Sequence, residues 1–166
     1  INLTELHQLM SCFYTVQVLR RGVRELQFEL PGEWTVTDVT CPSLVRWSIE
    51  EPSGHKVLTV RLRSAKVGTT PLHIKAAASR SGDRWLAPRI VLVGAAFQRG
   101  YVMVNTDETL RVRSQKLTQA RREDASTAAV PGLVSTSAGR LYFHWGDNWS
   151  VGLELAEAVL RRSIKE

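Results

Sequence analysis

The chain has 166 residues, 43% hydrophobic and 23% charged, which is enough for a substantial core and argues against wholesale disorder. Its formal charge of +6 and pI near 9.8 bring nucleic acid, acidic polysaccharide and anionic membrane surface into view as partners. The longest apolar run, Ile90–Phe97, is far too short for a transmembrane helix.

From the N-terminus, Leu3, Leu6, Leu9 and Met10 have helical spacing, with Asn2 or Thr4 as a cap. The "CFYTVQVL" that follows is strand-like, so the first segment reads equally as an extended entry. Arg20–Gly22 reads as a turn. Leu26, Phe28 and Leu30 then alternate with Glu25, Gln27 and Glu29 up to Pro31-Gly32, the period of a half-buried strand. The β-branched "WTVTDVTC" predicts another strand. Next come a strand carrying Val45, Trp47 and Ile49, a Pro-Ser-Gly turn, and a strand carrying Leu58, Val60 and Leu62. A Gly-Thr-Thr-Pro turn, a further strand and the loop "SRSGDRW" follow. Two or three strands broken at Gly94 and Gly100 come after that. "KLTQARRED" reads as a short helix or turn, and "ASTAAVPGLVSTSAG" as a small, polar loop.

The most aromatic stretch is "GRLYFHWGDNWSVGLELAEA", Gly139–Ala158. Leu141, Phe143 and Trp145 share one strand face; Tyr142 and His144 share the other. A Gly-Asp-Asn loop predicts a hairpin that sets Trp145 opposite Trp149, Phe143 opposite Val151 and Leu141 opposite Leu153. On this reading those six residues are core. The tail after Leu155 has good helix formers with late Lys and Arg, and reads as helix or as strand running into a linker.

Together these elements predict a mainly β, antiparallel sandwich, with short helical pieces at the N-terminus, near 116–124 and at the C-terminus. One domain over 1–166 is expected, and the absence of an initial Met suggests a piece of a longer protein. The stretch Val23–Ala78, with "LQFELPGEWTVTDVT", "VRWSI" and "KVLTVRLRSAKVGTTPLHIKA", resembles uncharacterised all-β segments of large bacterial envelope or secreted proteins. "PRIVLVGAAFQRGYVMV" is similar to the continuation of such segments. The resemblance implies a structural or protein-interaction module of an exported chain, and carries no catalytic residues with it.

The residues themselves offer little clustered chemistry. His7, His55, His73 and His144 form no metal-ligand spacing, and no Gly-x-Ser-x-Gly or phosphate loop occurs. No cofactor or metal is expected. The candidate acid–base carboxylates, Glu50-Glu51, Asp83, Asp107-Glu108, Glu123-Asp124 and Asp147, mostly fall in predicted turns, where Asp bonds its own backbone. Cys12 and Cys41 are too few for a zinc site; they read as two free thiols or, in an exported protein, as one disulfide. Arg61 and Arg63, and Arg111 and Arg113, alternate with apolar residues, as on the solvated face of a half-buried sheet. No nucleic-acid motif accompanies the charge. Trp34, after the Pro-Gly turn, and Trp85, in a loop, are the candidates for exposed rings. With Arg84 and Arg89 they define a carbohydrate-binding alternative to the non-catalytic module. The expected partners are therefore neighbouring domains, a protein or a glycan, in an extracytoplasmic setting.

Overall fold

The computed structural model describes residues 1–126 and 139–158. Twelve strands run through them: β1 (Asn2–Leu3), β2 (His7–Leu30), β3 (Thr35–Thr40), β4 (Leu44–Glu50), β5 (Lys56–Ser79), β6 (Arg84–Leu86), β7 (Val91–Leu92), β8 (Arg99–Thr106), β9 (Leu110–Thr118), β10 (Ala120–Glu123), β11 (Arg140–Trp145) and β12 (Ser150–Glu157). Among the described residues the single helical element is a 3-10 turn at Pro52–Gly54. The mainly β class is as the alternation predicts. Two of the expected helical pieces are strands instead. Near the N-terminus, Thr4 does not cap a helix; its Oγ1 accepts from His7 N at 3.0 Å in a tight turn that leads from β1 into β2. Residues 116–118 belong to β9 and 120–123 to β10, with Gln119 between them. The tail is strand to Glu157, and 159–166 lie outside the described residues, as does most of the small, polar loop.

The chain forms two compact units, each assembled from separated segments: Leu9–Ala78 with Pro88–Arg99, and Ile1–Gln8 with Ser79–Ala87 and the chain from Gly100 onward. Each unit has its own buried residues.

In the first of these, β2 lies beside β5, and β5 pairs on its other edge with β3 and β4. Both long strands double back on themselves. Tyr14 and Phe28 lie in one strand fourteen positions apart, roughly 46 Å if it were straight, yet their ring centroids are 5.2 Å apart. In β5 the pairings Thr40↔His73 and Leu44↔Leu62 leave the ten residues 63–72 of β5 opposite only the three residues 41–43 of the partner chain. A ladder bent back in this way makes two layers from one pair of strands. Their inner faces supply Met10, Val16, Leu26, Phe28, Leu58, Val60, Leu62, Leu72 and Ile74, all buried, and Trp34 joins them from the turn between β2 and β3. The bend takes up Arg20–Gly22, the segment that reads as a turn, and its residues are exposed. Gly22 lets the two strands approach closely there: a Cβ would stand 3.0 Å from the Cβ of Ala65, which would have to give way by a few tenths of an ångström.

The second unit is built the same way from the C-terminal strands. β9 and β12 pair antiparallel from Leu110↔Glu157 to Thr118↔Ser150; β10 and β11 then continue the ladder from Ala120↔His144 to Glu123↔Leu141. The two halves belong to different sheets: β6-β12-β9, and the nine-stranded sheet, at its β10-β11-β8-β1 end. The long pair therefore turns a corner between layers. Gln119 turns one strand with a left-handed φ of 44°, and Gly146 turns the other with φ 72°. Gln119 ties the corner: its carbonyl accepts from Trp145 N at 3.1 Å, and its side-chain Oε1 accepts from Asn148 N at 3.2 Å. Leu3, Val104 and Tyr142 from one sheet meet Trp85, Leu110, Val151, Leu153 and Leu155 from the other in a single core. The pairing of β1 with β8 is parallel, so the sheets are mixed rather than wholly antiparallel.

This corner overturns the predicted hairpin. β11 and β12 lie in opposite layers and do not pair, so their faces are set independently. Val151 and Leu153 point into the core as expected. On β11 Leu141 is buried as expected, but beyond it the assignment inverts: Tyr142 and His144 are buried, while Phe143 is half-buried and Trp145 exposed.

Candidate functional site

The inversion puts an aromatic stripe on the outer face of β8, β11 and β10. Tyr101 on β8 meets Phe143 on β11, ring centroids 5.2 Å apart and tilted at 56°. Phe143 stacks along the strand on Trp145 at 5.9 Å and 29°. On β10, Arg121 is the register partner of Phe143, and its guanidinium lies 5.3 Å from the ring centroid. Arg121 Nε also donates to Glu123 Oε1 at 2.6 Å, two residues along on the same face. The ion pair and the ring together hold the guanidinium in place. Tyr101 and Trp145 are 43% and 38% exposed, which is unusual for adjacent large rings on a folded sheet.

Beneath the stripe, the inward side chains of β11 lock the strand. Tyr142 donates its hydroxyl to Gln115 Oε1 at 3.0 Å, and burial raises its pKa. His144 stacks on Trp149 at 4.1 Å and 23°. It is 6% exposed, and its Nδ1 has no hydrogen-bond partner. Burial alone pulls the imidazole down to about 4, so it is neutral at pH 7. A neutral ring against an indole is a packing element, and the stripe rests on it.

The residues singled out in the sequence fare differently. Trp34 and Trp85 are 1% and 5% exposed, so neither forms an exposed platform. Trp85 is carried into the core by β6, opposite Leu153, and its indole N–H donates to Gln8 Oε1 at 2.7 Å. Trp34 closes the turn at Pro31, donating its backbone N–H to Pro31 O, and sits in the core of its own unit. A loop position just before or after a strand still allows a large ring to fold inward over the open end of a layer. Arg84 and Arg89 are exposed. Cys12 and Cys41 are both free thiols; the disulfide is not formed. Burial pushes the Cys12 thiol up to about 12, which makes it a poor nucleophile.

Asp107 and Asp124 do what turn aspartates do, accepting from the backbone and hydroxyl of Thr109 and Ser126 respectively. His73 has a partner the sequence did not suggest: Ser11 Oγ lies 2.6 Å from its Nε2, and Phe13 stacks on the ring at 4.0 Å. Burial, and then the nearby Lys75, lower its pKa. The pair lies on an open sheet face. Among the described residues no group of three or more His, Cys, Asp and Glu could hold a metal ion, and no helix is long and apolar enough to cross a membrane. No protein-family model matches the chain, and no curated protein is similar to it.

Proposed function

We propose that the chain is a non-catalytic interaction module of a larger exported protein, and that it engages a protein partner through the Tyr101–Phe143–Trp145 stripe. One observation carries the reading: three contiguous rings and an arginine stand outward on paired strands. Rigid aromatic rings with a neighbouring arginine are the side chains that concentrate binding energy at protein interfaces. They lose little conformational entropy on binding because the strand and the layer beneath already hold them. The resemblance of the chain to β segments of envelope and secreted proteins supports the exported setting.

A short random-peptide library selected on the immobilised chain tests this. Enriched peptides should bind the wild type and lose about tenfold or more on Phe143→Ser or Trp145→Ser, the size expected of interface aromatics. Enriched peptides indifferent to both substitutions, or no enrichment, would overturn the assignment.

A further inference from the structure

The outer face of the β6-β12-β9 sheet carries a different chemistry. Leu153 and Trp85 are register partners in the core, so their neighbours Arg84, Leu86, Gly152 and Glu154 point outward. Across the sheet, Lys116 pairs with Gly152, Ser114 with Glu154 and Arg111 with Ala156. The ladder's irregularity between Glu154 and Leu155 places Arg113 at a bulge on the same edge strand. Arg84, Arg111, Arg113 and Lys116 are all exposed, and among the described residues none has a carboxylate partner within ion-pair distance. The one carboxylate among the outward positions, Glu154, accepts from Ser114 Oγ at 2.8 Å. Asp83 and Glu157 lie at the ends of β6 and β12. Unpaired cations therefore stand on both margins of a narrow sheet, roughly 10 Å apart by strand spacing. Between them Gly152 leaves a bare strip, flanked by Leu86 and Lys116, each about 4.0 Å from where its Cβ would be.

We propose that this face binds a linear acidic polysaccharide, its carboxylates or sulfates received by Arg84 on one margin and by Arg111 and Lys116 on the other, with the sugar rings lying over Gly152 and against Leu86. Charge complementarity selects an anionic polymer, and an arginine fork suits planar carboxylate or sulfate groups. The outward positions of β6, β9 and β12 hold no aromatic ring on which bases could stack. Leu86 is their one large exposed apolar side chain, too little for insertion into a lipid surface. This face lies on the opposite sheet from the aromatic stripe, and the inference does not depend on the protein-interaction reading.

The experiment is titration of the whole chain with polygalacturonate at low and moderate salt. Polyglutamate, single-stranded DNA, anionic phospholipid vesicles and neutral dextran run alongside. Polygalacturonate should bind most tightly, dextran not at all, and binding should weaken with salt. Combined Arg84→Glu, Arg111→Glu and Lys116→Glu should weaken it about tenfold or more. Reversing Arg20, Arg24 and Arg63 instead, an equal change in net charge in the other unit, should weaken it much less. Near-UV circular dichroism confirms the fold of each variant; if the triple reversal does not fold, Arg84→Gln and Lys116→Gln each take its place. Equal loss from both reversals would reduce the effect to net charge and overturn the site. Tighter or equal binding of polyglutamate, DNA or vesicles would overturn the polysaccharide. No binding of polygalacturonate at low salt would overturn both.

Discussion

Five tryptophans occur in this chain, and neighbouring sequence alone does not say which of them meets water. Trp34 and Trp85 follow turn and loop residues, yet both are buried, because each ring folds over the end of a layer that would otherwise be open. Trp145 sits in the middle of an alternating strand and is 38% exposed. Acrylamide quenching should therefore lose its most accessible component in Trp145→Phe and keep it in Trp34→Phe and Trp85→Phe; the reverse pattern would place the stripe in the core. His144 gives a second residue-scale prediction. In the unfolded chain its imidazole takes up a proton near pH 6.5, and in the fold only near 4. Its contribution to stability is complete above pH 6.5 and is lost as the pH falls from there to about 4, because the unfolded state binds the proton first. The loss reaches about 3 kcal/mol. Urea midpoints should fall over that window, and His144→Phe, which keeps a ring on Trp149, should flatten the upper part of it, before carboxylates titrate.

At the scale of the element, the deciding feature is the strand that changes sheets. Alternation in Leu141–Trp145 and in Trp149–Leu155 correctly marks two strands, and the period of β12 correctly marks its inner face. What alternation cannot supply is phase: a strand of period two has two faces, and only its partner layer says which is inside. Assuming a hairpin put β11 and β12 in one sheet and reversed β11 from Tyr142 to Trp145, though Leu141 is buried as expected. The signal for a corner is present but slight, in Gln119 opposite Gly146. A Cβ on Gly146 would stand 2.9 Å from Gln119 Oε1, and its φ of 72° is one that L side chains rarely adopt. Gly146→Ala should cost about 1–3 kcal/mol, from the left-handed backbone and the displaced Gln119 amide. Gln119→Ala, which removes only the bond to Asn148 N, should cost about 1 kcal/mol. Chemical denaturation read by tryptophan fluorescence measures both; a neutral Gly146→Ala would mean the corner is not held as described.

For the whole molecule, the chain order and the spatial order diverge. Ser11 meets His73, Ile1 accepts from Asn105 N through its carbonyl, and β10 is joined to β11 across the intervening chain. Contacts so distant in sequence must close long loops before they are rewarded. Refolding followed by stopped-flow fluorescence should fall in the millisecond-to-second range or slower; a microsecond phase that recovers the full signal would contradict this topology. The sequence by itself determined the β class, the strand positions from Val23 to Leu62, the turn aspartates at 107 and 124, and the outward arginines of the alternating strands, because period, turn chemistry and charge are local properties. Only the tertiary structure decided that the two longest strands double back, that the ladder of β9–β12 crosses between sheets, and that Tyr101, Phe143, Trp145 and Arg121 share one face. Each of those depends on which layer a strand joins, and that is settled by packing between segments far apart in the chain.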